Sequence, residues 1–221
     1  MDDNGQIKPT SMASLEVLER FYPRRLLFSE DKLSSGAREP AAEEYIIRKD
    51  VNGYFPNFPV LISGDGNPWR LGNLYLTQLA FNQSLNSYRF TTHRSKALHL
   101  LDYLRFLERE SLDCAVFPVS ERRRPTYRYR LELIDRASDG ELAFSTAKAR
   151  IGTVVQFYRS LVSWGLLSSH LISEGIVFKE VERTLSMING QGFMTGTKIR
   201  STDLHIKTAR SSTDPDVIMD G

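Results

Sequence analysis

Phe144 to Gly165 reads FSTAKARIGTVVQFYRSLVSWG. Ile151, Val154, Val155, Tyr158, Leu161 and Val162 recur there at helical spacing, which defines an amphipathic helix with one buried stripe. Ser145 is the expected N-cap, because its hydroxyl can accept a hydrogen bond from an orphan amide of the first turn. Three residues on, where a capping box places Glu or Gln, stands Lys148, with Arg150 after it. Cations there oppose the helix macrodipole, whereas an anion docked on the free amides and both side chains reverses the penalty.

The surrounding composition is that of a soluble globular chain of 221 residues, with 41% hydrophobic and 25% charged residues. A single cysteine, Cys114, excludes an internal disulfide framework, fits a reducing cytosol and reads as a small buried hydrophobe. The first ten residues are polar and acidic, unlike a signal peptide, and no apolar run approaches the roughly 20 residues a membrane span needs. A cytoplasmic protein without a membrane partner is the expectation. Net charge is +2, but residues 89–160 hold 14 Lys and Arg against 9 Asp and Glu, a local balance of +5. For a polyanion-binding surface the distribution matters more than the total.

In chain order, Ser11 to Phe21 reads as a short helix ended by Pro23. Strand-like text follows at Tyr45 to Ile47 and Phe58 to Ile62, with an Asn52-Gly53 turn between them. Gly64-Asp65-Gly66-Asn67-Pro68 is a dense turn signal and the first expected domain boundary. Four helices are then expected. The first starts at Pro68-Trp69 and carries Leu71, Leu74, Tyr75, Leu79 and Phe81 before Asn82 to Asn86 breaks it. The second runs from a Thr91 or Thr92 cap to about Ser111, with Leu98, Leu101, Leu104 and Leu107 buried. Its first turn holds His93, Arg94 and Lys96, again cationic. The third starts near Pro125, behind the basic run Arg122-Arg123-Arg124, which continues through Arg128 and Arg130 with Tyr127 and Tyr129 between them. It stops at Asp139-Gly140. The fourth is the helix quoted first. Short connections favour one bundle. Val181 to Ile188 and Phe193 to Ile206, around Asn189-Gly190, read as a β-hairpin, and Arg210 to Gly221 as a polar linker. The expected divisions are 1–67, an N-terminal extension with short strands; 68–170, helical; and 171–221, hairpin and linker.

Catalytic patterns do not stand out. The four histidines, His93, His99, His170 and His205, are scattered, and no HExxH, paired CxxC, GxSxG or Gly-rich phosphate loop occurs. No metal or cofactor is expected. What stands out is electrostatic: Arg94 with Lys96, Arg122 to Arg130, and Lys148 with Arg150 each sit at an element's start or in a connection. Such placement suits phosphate contacts better than it suits helix stability.

The succession GNPWRLGNLYL (66–76), TTHRSKALHLLDYLRFLE (91–108), RRPTYRYRLELIDR (123–136) and STAKARIGTVVQFYRSLVSWGLL (145–167) resembles the core-binding domain of bacterial tyrosine recombinases, the phage-type integrases. The likeness covers residues 68–170. It implies a mainly α fold, a SAM-like four-helix bundle that clamps one face of duplex DNA with its second and fourth helices, and self-association on that DNA. By position, Thr92, Arg94 and Lys96 on the second helix and Thr146, Lys148 and Arg150 on the fourth face the duplex. Ala149 departs from the basic residue expected in relatives. The family cuts DNA with a tyrosine in a following domain. No His-x-x-Arg box occurs here and no tyrosine follows Tyr158, so DNA binding without catalysis is expected. The competing expectation is a helical protein-interaction or assembly module, based on the hairpin edge and on apolar Tyr54, Phe55 and Phe58.

Overall fold

The turn at Gly64 to Pro68 closes on itself through Ser63 N–H to Asn67 O (2.8 Å), and the Asp65 carboxylate accepts from the Asn67 amide at 2.9 Å. The computed structural model describes residues 12–22, 25–27, 46–48, 53–82, 88–188 and 194–206. The chain is mainly helical with small antiparallel strand pairs. It forms two compact units, Met1–Glu108 and Arg109–Gly221, a division that differs from the composition boundaries at 67 and 170.

In the first unit, β1 (Ser14–Phe21) pairs antiparallel with β4 (Phe55–Ile62), and the short β2 (Arg25–Leu27) pairs with β3 (Ile46–Arg48). The helix expected over Ser11 to Phe21 is therefore a strand from Ser14 to Phe21. An apolar run this short satisfies both periods, and its pairing with β4, from Ser14↔Ile62 to Phe21↔Phe55, decides between them. The two strand-like stretches flanking Asn52-Gly53 likewise pair with earlier strands and not with each other. Two helices follow, α1 (Arg70–Asn82) and α2 (Phe90–Arg109).

The β1–β4 ribbon is fastened to both helices of its unit. The Asn73 amide on α1 makes two bonds to the Leu61 backbone, giving to its O and accepting from its N–H, each at 2.8 Å. Glu108 on α2 accepts from Gly64 N–H (2.7 Å) and Ala13 N–H (3.3 Å), while Arg105 Nε donates to Ala13 O (2.8 Å). At Gly72 an added Cβ would stand 2.2 Å from the Trp69 ring, so only glycine lets that ring lie against the helix. The buried face of α1 is Gly72, Tyr75, Leu76 and Ala80; of the apolar residues noted in its sequence Tyr75 is buried, while Leu71, Leu74, Leu79 and Phe81 are half-exposed. On α2, Leu101, Leu104 and Leu107 are buried as expected, but Leu98 is 39% exposed, and Ala97, Leu100, Tyr103 and Phe106 complete the face.

The second unit contains a single 3-10 turn (Glu121–Arg123), α3 (Pro125–Ser138), α4 (Phe144–Ser163), the short α5 (His170–Ser173), and a hairpin of β5 (Glu180–Ile188) with β6 (Met194–Thr202). α3 packs on α4. The buried residues of this unit include Tyr129 and Leu133 on α3, Ala147, Ile151, Val154, Phe157, Tyr158 and Leu161 on α4, and Val177, Phe178, Leu204 and Ile206. Burying side chains of this size contributes roughly 1.5–3 kcal/mol each, so the stripe read from sequence is what holds α4 in place. β6 ends at Thr202, short of the Ile206 expected, because Thr202 to Ile206 turns inward and buries Leu204 and Ile206. The Asn189-Gly190 turn, Phe193 and Arg210 to Gly221 lie outside the described residues.

Candidate nucleic-acid interface

α4 begins two residues earlier than the Ser145 cap expected from sequence. Its N-cap is Ala143, which offers no side-chain cap, and its first turn holds no acid. Ser145 is thus inside the helix and does not cap it, and Thr146 occupies the third helical position. The first internal bond is Ala147 N–H to Ala143 O at 3.0 Å, so the amides of Phe144, Ser145 and Thr146 precede the intrahelical ladder. Thr146, Lys148 and Arg150 are half-exposed, and Ala149 is exposed between the last two. Two of the Arg150 guanidinium nitrogens, Nε and Nη1, are buried, which narrows what that residue presents outward. Beneath them Ala147, Ile151, Val154 and Val155 are buried, and Tyr158 Oη donates to Cys114 O at 2.8 Å.

α2 starts at Phe90, also with no acid in its first turn. Thr91 and Thr92 lie inside that turn and do not cap it. Thr92 and Arg94 are exposed and Lys96 is half-exposed. His93 does not share this cationic face. It is 2% exposed, its ring sits 5.2 Å from both Phe58 and Tyr88, and burial pushes its pKa from the usual 6.5 to about 4. A hydrogen bond to the Leu76 backbone opposes that shift without cancelling it, and among the described residues the buried Nε2 has no hydrogen-bond partner. His93 is a neutral core residue at neutral pH.

The basic run ahead of α3 divides by role. Arg122 and Arg123 are exposed on the 3-10 turn. Arg124 is structural: Nε donates to Pro118 O (3.1 Å), Nη2 to Val119 O (3.0 Å), and Nη1 to Gly175 O (3.1 Å) and Ile176 O (2.9 Å). Arg128 forms an ion pair with Glu110, and Arg109 with Glu132. The interleaved tyrosines are equally engaged. Tyr129 is fully buried, and Tyr127 Oη donates to Asp203 Oδ2 at 2.6 Å. Neither is placed to stack on a base. Of the positions singled out by sequence, Thr92, Arg94, Lys96, Arg122, Arg123, Thr146 and Lys148 remain at the surface, Arg150 is half-exposed with two guanidinium nitrogens buried, and Arg124 and Arg128 serve the fold.

Lys148 also lines a groove of about 180 Å³ that sequence spacing does not reveal. Gln156 and Arg159 from α4, and Ser201, Thr202 and His205 from the hairpin exit, share it. Nothing in the linear text links these segments. Among the described residues no group of three or more His, Cys, Asp or Glu could hold a metal, and no helix is long and apolar enough to cross a membrane. Comparison with models of protein families, with curated proteins and with solved structures finds no match to this chain.

Proposed function

We propose that this chain binds duplex DNA through backbone phosphates, as the SAM-like core-binding region of a tyrosine recombinase or phage-type integrase, and positions DNA for strand exchange carried out by a separate catalytic domain. The observation that carries the reading is the start of α4: a helix with no cap side chain and no acid in its first turn, followed by half-exposed Lys148 above a rigid buried stripe. Free amides, the positive end of the dipole and cationic side chains together favour a phosphate. The start of α2, with Thr92, Arg94 and Lys96, likewise has no acid in its first turn. Contacts of this kind give affinity and register; sequence preference comes from base edges or DNA shape. The competing protein-interaction reading loses part of its basis, because Phe55 and Phe58 are each 1% exposed, which leaves Tyr54 at 41%.

The test is a mobility shift with a mixed-sequence duplex at low and moderate salt. A salt-sensitive shift is expected, and Lys148→Ala should weaken binding to every sequence and lower the log–log salt slope by about one. An unchanged affinity and slope in Lys148→Ala removes α4 as the reader. No salt-sensitive shift for the unaltered chain at micromolar concentration favours the protein-interaction reading.

A further inference from the structure

The groove beside Lys148 is built from two segments far apart in the chain, and its wall chemistry is one-sided. Lys148 and Arg159 supply positive charge, Gln156, Ser201 and Thr202 supply neutral donors, His205 adds a ring nitrogen, and among the described residues no carboxylate lines it. Arg159 is anchored by its ion pair to Glu180 at 2.9 Å and lies over the Phe178 ring at 5.6 Å, so its guanidinium is held in place. The opposite wall is fixed as well. Asp203 accepts from Tyr127 Oη (2.6 Å) and from Lys179 N–H (2.9 Å), its own N–H donates to Lys179 O (3.0 Å), and Leu204 and Ile206 are buried on either side of His205. Thr202 is itself 7% exposed.

Gly152 forms part of the same wall. It sits in mid-helix on α4, where glycine is less favourable than alanine. A Cβ built there meets nothing within 4 Å, so internal packing does not require the glycine. Its absent side chain leaves helix backbone open to whatever enters the groove.

We infer that this groove seats one backbone phosphate of the bound duplex, with Lys148 neutralising it and Arg159, held by Glu180, donating to its oxygens together with Gln156, Ser201 and Thr202. The inference rests on the nucleic-acid reading above and extends it, since the hairpin exit then shares with α4 the task of fixing DNA register. Lys148 belongs both to the groove and to the α4 surface, so a strand crossing that surface passes the groove mouth.

Gly152→Leu fills the groove at a position where a larger side chain has open space and better helix propensity, so folding is not at risk. Two measurements separate the groove from the wider function. In duplex binding at fixed salt, Gly152→Leu should lose roughly tenfold in affinity, the effect of one good charge-assisted contact. Equal affinity and equal salt slope in the variant overturn the groove while leaving DNA binding standing. If the unaltered chain does not bind duplex, the functional reading and the duplex phosphate fall together. An amide NMR titration with inorganic phosphate then reports on the groove alone. Shifts at Gly152, Thr202 and His205 that vanish in Gly152→Leu assign it to a free phosphate ligand, and an absence of such shifts removes it as an anion site.

Discussion

The Tyr127 hydroxyl donates to Asp203 Oδ2 across 2.6 Å, tying the first turn of α3 to the residue that follows the hairpin. Burial, reinforced by the Asp203 hydrogen bond and charge, pushes the Tyr127 phenol well above its ordinary range, so it donates throughout the physiological span. Asp203 also accepts from Lys179 N–H, so it joins three segments of one unit. Removing it by Asp203→Ala should destabilise the second unit by about 2–3 kcal/mol, because two donors lose a charged acceptor. Tyr127→Phe should cost less, about 1 kcal/mol. Denaturant midpoints for the two variants would check the order; a smaller loss for Asp203→Ala contradicts this account of the hairpin exit.

The arginine run yields a contrast between neighbours. Arg124→Ala should destabilise the fold by about 2–3 kcal/mol, since four backbone carbonyls lose their donor at once. Arg122→Ala and Arg123→Ala, at exposed positions, should stay within about 0.5 kcal/mol of the unaltered chain. Their effect belongs in the salt dependence of duplex binding, as a flatter slope. Thermal melts and binding isotherms on the same three proteins separate the roles.

His93 makes the first unit acid-sensitive. Its folded pKa, near 4, lies below the ordinary 6.5, so the unfolded chain takes up the proton first. Stability from keeping this ring neutral is therefore fully present above pH 6.5, falls as pH drops toward 4, and is gone below that, a loss of roughly 3 kcal/mol. His93→Phe suits the cluster of Phe55, Phe58 and Tyr88 and has no proton to gain. Its stability difference from the unaltered chain should change across pH 6.5 to 4 and be flat above pH 7. A flat difference across the whole range would mean that the ring is solvated.

The uncapped start of α4 carries a trade between stability and binding. Ala143→Asp supplies the missing cap and should stabilise the helix by about 1 kcal/mol. The same carboxylate occupies the free amides and repels phosphate, so duplex affinity should fall severalfold. Ser145→Ala, already inside the helix, should cost little. Gains in both stability and affinity for Ala143→Asp would contradict the phosphate assignment.

The residues themselves determined the helical elements. The Ile151 to Val162 stripe, buried except at half-exposed Val162, the Pro125 start, the stop at Asp139-Gly140 and the paired stretches of the final hairpin are local patterns, and the structure follows them. The cationic, acid-free helix starts were legible as well, because they are properties of neighbouring residues; the caps expected at Ser145 and at Thr91 or Thr92 were not, because both helices begin earlier. Tertiary structure decided whatever depends on a partner far away in the chain. Ser14 to Phe21 became a strand because β4 offered it a ladder. His93 turned inward to Phe58 and Tyr88 while Arg94 stayed out, a difference of one residue around a helix that charge counting cannot see. Arg124 left the basic surface because the carbonyls of Gly175 and Ile176 came within its reach. The groove at Lys148 exists only where α4 meets the hairpin exit. Burial and long-range hydrogen bonds are set by which segments meet in space, and they sorted the basic residues into those that hold the fold and those left facing a ligand.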